Sequence, residues 1–299
     1  MYVLVIASQK GGSGKTTLSG HLAVEAQAAG FGPVALIDTD PQGSLSQWWD
    51  ARTDPTPFFV TAGLLDLGEA VEHLRTGGVE FVIIDTPPAI TVSIAQAIAH
   101  ADLVVIPTRP SPHDLRALGA TVDIAEKNGK PLIFVINAAT PRARITGEAA
   151  VALSQHGTVA PITLHHRVDF AASMVDGRTV GEVVPKSQSA KEVHDLWIYV
   201  QDRLSRLKKD DAKEFMPAQQ VSLLTAEESD LMQQGEIIEE RTNVVTLAPA
   251  TVGREDYYAA QGIEQRSVDW HRPPQLTPKP SFSTVGLQSF GKRRSERHA

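Results

Sequence analysis

Cysteine is absent from the 299 residues. Disulfides and cysteine-ligated metals are thereby excluded, and a reducing, cytoplasmic compartment fits. Long apolar runs are missing too. None approaches the ~18 residues of a membrane span, and the N-terminus enters a strand at once, so neither stable membrane insertion nor a signal peptide is expected. Positive charge is not in excess either: 28 Lys and Arg face 35 Asp and Glu, a net charge of −7. That argues against a globally basic nucleic-acid binder, although a local patch would survive such an average. Hydrophobic residues, at 42%, suffice for a buried core, and the length allows one large domain or two small ones.

What is present is concentrated near the start. Residues 9 to 17 read Gln-Lys-Gly-Gly-Ser-Gly-Lys-Thr-Thr after an apolar run, Tyr2 to Ala7, that reads as a buried strand. This is a phosphate-binding loop between a strand and a helix. Gly11, Gly12 and Gly14 let the backbone turn tightly around Ser13 and aim successive N–H groups at one point. The helix opening at Thr16, with Thr17 behind it, adds the positive end of its dipole. Lys15 can reach β- and γ-phosphate oxygens, and the Thr16 hydroxyl can hold Mg²⁺. The strict pattern would place glycine at position 9, where this chain has Gln9. An ordinary loop of this type also has no need of the second lysine, Lys10.

Two more apolar runs end in carboxylates. Val34-Ala-Leu-Ile is followed by Asp38-Thr-Asp40-Pro-Gln-Gly, and Phe81-Val-Ile-Ile by Asp85-Thr-Pro-Pro. Open α/β sheets bind ligands beyond the carboxyl ends of their strands, so the P-loop, the Asp-x-Asp and Asp85 are expected to converge. Singly, an aspartate there is commonly a cap or turn residue.

Up to about residue 209 strands and helices alternate with short links. Strands are expected at Phe58 to Thr61, Leu103 to Pro107, Leu132 to Ile136 and Val159 to Ile162. Helices are expected over Leu65 to Arg75, His113 to Lys127, Thr146 to Gln155, Asp169 to Val175 and Ser189 to Leu207. Such alternation implies an α/β fold with a doubly wound, mainly parallel sheet. Residues 210–299 differ. An acidic, leucine-containing stretch (Val221 to Glu240) gives way to Pro, Gln, Ser and Thr and a basic tip, Lys292 to Arg297. No period persists, so a largely disordered tail is expected.

With these motifs placed, residues 1 to about 207 resemble a short ParA-type partition ATPase of the ParA/MinD family, a P-loop NTPase group with a deviant Walker A loop. The loop Lys10-Gly-Gly-Ser-Gly-Lys-Thr-Thr17 carries most of the likeness. Ile37-Asp-Thr-Asp-Pro-Gln-Gly43 is similar to the second motif, Ile84-Asp-Thr-Pro-Pro88 to Walker B, and Ile106 to Asp114 to the segment after the next strand. The tail resembles nothing nameable. The resemblance implies ATP and Mg²⁺ as cofactors and an ATP-dependent homodimer in which Lys10 reaches the partner's nucleotide. Lys15, with Mg²⁺ anchored by Thr16 and through water by Asp85, would hold the γ-phosphate charge. Asp40 would position the attacking water. Asp38, read as lying on the opposite face of its strand, would support the loop and the Mg²⁺ shell. Asn137 would contact adenine.

The resemblance further implies non-specific DNA binding, nucleoid association when ATP-bound, and a small ParB-like adaptor protein. DNA would meet Lys186, Lys191, Arg203, Arg206, Lys208 and Lys209, with Arg167 and Arg178 nearby. Plasmid or chromosome partition is the first reading. The alternative is the same engine positioning a protein, membrane or conjugation cargo. A small-molecule kinase or synthetase is disfavoured by Lys10, since such enzymes close their sites with lids in one chain.

Overall fold

Apolar runs of five or six residues can hide both faces only in the middle of a parallel sheet covered by helices on each side. The computed structural model describes residues 1–62, 66–88 and 91–214, the side chains of 91 and 210–214 excepted, and there the runs do this. The strands are β1 (Tyr2–Ile6), β2 (Val34–Asp38), β3 (Phe58–Thr61), β4 (Phe81–Asp85), β5 (Leu103–Thr108), β6 (Leu132–Ile136) and β7 (Thr158–Val159). They form one sheet in the order β3-β2-β4-β1-β5-β6-β7, with every neighbouring pair parallel.

Ten α-helices are described: α1 (Lys15–Ala28), α2 (Ser44–Asp50), α3 (Leu67–Thr76), α4 (Thr91–Ala99), α5 (Pro112–Arg116), α6 (Gly119–Lys127), α7 (Arg144–Ser154), α8 (Val168–Ser173), α9 (Val180–Val183) and α10 (Gln188–Glu214). Strand alternation divides the core into two layers. Val3, Val5, Ile37, Val82, Ile84 and Ile106 face α3, α4 and α6. Leu4, Ile6, Leu36, Ile83 and Val105 face α1 and α10. On that second side the α10 stripe Val193, Leu196, Trp197, Val200 and Leu204 is buried, and Trp197 packs edge-on to Phe31 with ring centroids 5.3 Å apart.

Four differences from the expected elements stand out. The His113 to Lys127 helix is two helices, because Ser111 caps α5 through the Asp114 N–H at 3.2 Å and α5 closes on a tight bond from Ala117 N–H to the Asp114 carbonyl at 3.1 Å. The strand expected over Val159 to Ile162 stops at Val159. It lies at the sheet edge, and Pro161 has no N–H with which to continue a ladder. Helices α2, α4 and α9 were not expected at all. The final helix runs on through Glu214, beyond the boundary drawn at 209. The acidic stretch and the basic tip of the tail lie outside the described residues. Among the described residues no helix is long and apolar enough to cross a membrane.

Candidate functional site

Strand β1 lies between β4 and β5, where the chain's winding switches direction, and such a crevice beyond the strand ends is where open α/β sheets take ligands. The P-loop fills it. Gly12 and Gly14 adopt left-handed φ values of 71° and 95°, a conformation that suits glycine. Gly14 starts α1, and no side chain caps that start, so the first N–H groups of the helix are available to an anion. A Cβ on Gly14 would lie 2.1 Å from Asn137 Nδ2. Asn137, at the end of β6, donates to the Ser13 carbonyl at 2.7 Å, while its oxygen accepts from Ala138 N–H at 2.8 Å. The residue expected at adenine also braces the loop, from a strand one removed from β1.

Lys15 is buried. Burial lowers its pKa, and the carboxylates of Asp85 and Asp40 oppose that shift. Lys15, Asp40 and Asp85 are thus brought together, as the three motifs suggested. Pairing registers Asp38 and Ile6 each with Asp85, so β1, β2 and β4 end level. Thr16 Oγ1 donates to Asp85 Oδ2 at 2.7 Å. Burial raises the Asp85 carboxyl to about 7, with the Thr16 bond working against it. Asp85 Oδ1 is buried and has no hydrogen-bond partner. A buried, half-partnered carboxylate beside a threonine hydroxyl and a P-loop fits Mg²⁺. Among the described residues no group of three or more His, Asp or Glu could hold a metal. A P-loop Mg²⁺ needs none, because phosphates and water supply most of its ligands.

Asp38 and Asp40 are not separated by the faces of a strand. A spacing of two would place them on one face, and β2 ends at Asp38. What distinguishes them is partners. Asp38 Oδ1 accepts from Asp40 N–H at 2.9 Å, and Oδ2 accepts from Leu45 and Ser46 N–H at 3.0 and 3.1 Å. These bonds fix the turn and cap α2. Thr39 anchors the same turn, donating from N–H and Oγ1 to the Asp85 carbonyl at 3.0 and 2.7 Å. Among the described residues Asp40 accepts only Gln42 N–H, at 3.0 Å, on Oδ1. Its other oxygen is available for a water.

Lys10 is half-buried at the loop's mouth. With Arg109, Ser111, His113, Ala138 and Thr140 it lines a cleft of about 450 Å³. Arg109 was not singled out from sequence. Its Nε and Nη2 donate to Asp114 Oδ2 and Oδ1 at 2.6 and 3.2 Å.

Two further clusters lie outside the loop. His21 on α1 is fully buried, and burial depresses its pKa to about 4. The neutral ring donates from Nδ1 to the Thr17 carbonyl at 2.8 Å and accepts Val180 N–H on Nε2 at 3.2 Å. Glu192 on α10 accepts both Arg167 Nη atoms, at 2.6 and 2.8 Å, together with His165 N–H and Nδ1 at 3.0 and 2.8 Å. Burial alone would raise its carboxyl, but those bonds outweigh it and hold it at about 2. The cations expected to meet DNA are largely committed. Arg167 pairs with Glu192, Arg178 with Asp176, Lys191 with Asp195 and Arg206 with Asp202. Lys208 lies over the Tyr2 ring at 3.7 Å.

Against known proteins, residues 4–240 match the family described as the CobQ/CobB/MinD/ParA nucleotide binding domain. The chain is 29% identical over 200 residues to the maintenance of carboxysome distribution protein A of Halothiobacillus neapolitanus, a match covering 64% of this chain and 92% of that one. It is 38% identical over 126 residues to protein ParA of Rhizobium radiobacter, covering 41% and 53% respectively. Among solved structures, the ATP complex of a Cyanothece McdA superposes with a TM-score of 0.53 at 20% identity, over 69% of this chain and 96% of that one. Fold, loop and family match agree: the chain belongs to the CobQ/CobB/MinD/ParA nucleotide-binding family, which includes the ParA and MinD ATPases.

Proposed function

We propose that this chain is an ATP-hydrolysing, dimerising ATPase that positions a protein cargo with the help of an adaptor protein. The observation that carries the ATPase reading is the meeting of Lys15, Thr16, Asp40 and Asp85 at one P-loop, with a second lysine at its mouth. Bound Mg²⁺ would neutralise charge on the β- and γ-phosphates. Thr16 and Asp85 would hold it, Lys15 would hold the γ-phosphate oxygens, and Asp40 would orient the attacking water with its open oxygen. Asp38 keeps the Asp40 turn rigid. Lys10 enters the site of the partner subunit, so hydrolysis waits for the dimer. Such a cation supplied from a neighbour is worth roughly 10³-fold or more in other phosphoryl-transfer enzymes.

The cargo assignment is supported by the Halothiobacillus relative, named for carboxysome distribution, of which the match spans 92%. The ion-paired cations of the C-terminal part also offer less free positive charge than a dedicated DNA partner would want. DNA partition is the second reading, favoured by the 38% identity to the Rhizobium ParA. In either case the ATP dimer rides on DNA weakly and without sequence preference, giving nucleoid association.

The test is ATP turnover alone, with duplex DNA, and with the product of a neighbouring small gene. Turnover stimulated by an adaptor that recognises no DNA sequence supports cargo positioning. An adaptor that binds its own DNA repeat moves the assignment to partition. Turnover equal in wild type and Lys15→Ala would contradict the ATPase reading.

A further inference from the structure

Arg109 follows β5 at the rim of the same crevice and is gripped along one edge only. Asp114, which is buried, accepts Nε and Nη2 in a two-pronged pair. The backbone that carries it is fixed in turn, because the Asp114 N–H donates to Ser111 Oγ at 3.2 Å. A planar guanidinium fixed along one edge must present its remaining nitrogen in a set direction. That direction is the P-loop: Nη1 lies 3.9 Å from where a Cβ on Gly12 would stand. Nη1 has no acceptor among the described residues, whereas the other two nitrogens do. The guanidinium stays in contact with solvent, its side chain 39% exposed, while Asp114 is at 2%.

From this geometry we infer that Arg109 is a nucleotide-contact residue: its free Nη1 bonds the terminal phosphate of the triphosphate held in its own subunit's P-loop, and Asp114 is the positioning residue that aims it. The inference rests on the ATPase reading above and adds a discriminator to it. ADP lacks the group that Arg109 reaches, so Arg109 makes the loop favour ATP. A brace for α5 would need the Asp114 pair alone. It would not need a third nitrogen turned toward a glycine whose φ of 71° keeps side chains away.

The experiment is titration of a fluorescent ATP and a fluorescent ADP analogue, with Mg²⁺, into dilute protein where subunits stay apart. Arg109→Ala should lose roughly 10- to 100-fold in ATP affinity, the scale of a charge-assisted hydrogen bond, with ADP affinity changed less than about threefold. Arg109→Lys and Asp114→Asn should fall between, and Arg116→Ala, an exposed arginine of the same segment, should match wild type. Removing the arginine alone strands a buried carboxylate. The double variant Arg109→Met with Asp114→Asn removes both charges together, and a thermal melt confirms its fold. Equal loss of ATP and ADP, or no loss of either in a folded variant, overturns the inference. Normal ATP binding with lost dimerisation also overturns it, placing Arg109 against the partner instead. If wild type binds neither nucleotide, the ATPase reading itself fails, which is a distinct result.

Discussion

Thr16 Oγ1 and Asp85 Oδ2 meet at 2.7 Å, joining the first turn of α1 to the end of β4 across 69 residues of sequence. The bond leaves the other Asp85 oxygen buried and unpartnered. Under the proposal above, that open oxygen is where Mg²⁺ would be received.

The first prediction concerns that carboxyl. Without nucleotide its pKa is raised from 3.8 to about 7. Its contribution to stability is full below pH 4 and fades as pH rises toward 7. Mg²⁺ needs the ionised form, so Mg·nucleotide binding near pH 6 should release up to about one proton. Calorimetry in buffers of different ionisation heat would read this, and Asp85→Asn should abolish the release. Proton release unchanged in that variant would remove Asp85 from the metal site.

A second prediction follows from Asn137. Because its amide braces the Ser13 carbonyl, Asn137→Ala should loosen the P-loop and weaken ATP and ADP together, by roughly tenfold for one hydrogen bond of about 1 kcal/mol plus lost order. Adenine recognition alone would instead be read as a changed preference for ATP over GTP with the GTP affinity untouched. Competition binding with both nucleotides distinguishes the two.

Acid should act on the scaffold in two stages. His21 has its pKa lowered from 6.5 to about 4, so its contribution is present above pH 6.5 and disappears as pH falls through 4, on the order of 3 kcal/mol at most. Glu192 is lowered from 4.5 to about 2, so its share goes between those values. Thermal melts from pH 7 to 2 should show both steps, and His21→Leu should flatten the upper one. Glu192→Ala should cost roughly 2–4 kcal/mol, because Arg167 and His165 lose their shared acceptor while keeping some access to water.

On the C-terminal face, Lys186 and Lys209 carry no carboxylate partner among the described residues, unlike Lys191 and Arg206. If the ATP dimer touches DNA there, Lys186→Glu with Lys209→Glu should weaken binding to all sequences alike. The slope of log affinity against log salt should drop by roughly two per subunit. ATP turnover without DNA should not change. Fluorescence anisotropy at several salt concentrations would show it, and unaltered DNA binding would move the contact elsewhere.

The sheet was readable because its central strands are buried on both faces. Tyr2 to Ile6, Val34 to Asp38, Phe81 to Asp85 and Leu132 to Ile136 admit no polar residue before their ends. The loop was readable because its function is local: Gly12, Gly14, Lys15 and Thr16 are adjacent in sequence. What stayed hidden depends on distant partners. Helix α2 is capped by Asp38 from across a turn, and its own N-cap residue, Gly43, has no side chain to do so. Asn137 finds Ser13 across 124 positions. Arg109 stands between Pro107 and Pro110 with no local signal of its role, and only the Asp114 pair gives it a direction. The pairing of Arg167, Arg178, Lys191 and Arg206 with carboxylates was likewise invisible in a count of charges.

The central claim, that each site is completed by the partner's lysine, is tested most directly by mixing two inactive variants. Lys10→Ala keeps its own Asp40 and lacks only the lysine that it lends. Asp40→Ala keeps the lysine and cannot orient water. Each alone should show almost no ATP turnover. An equimolar mixture should recover up to about a quarter of the wild-type rate, because half the dimers are mixed and one site in each is whole. No recovery in a mixture shown by light scattering to contain ATP-dependent dimers would contradict the account, as would full activity of Lys10→Ala on its own.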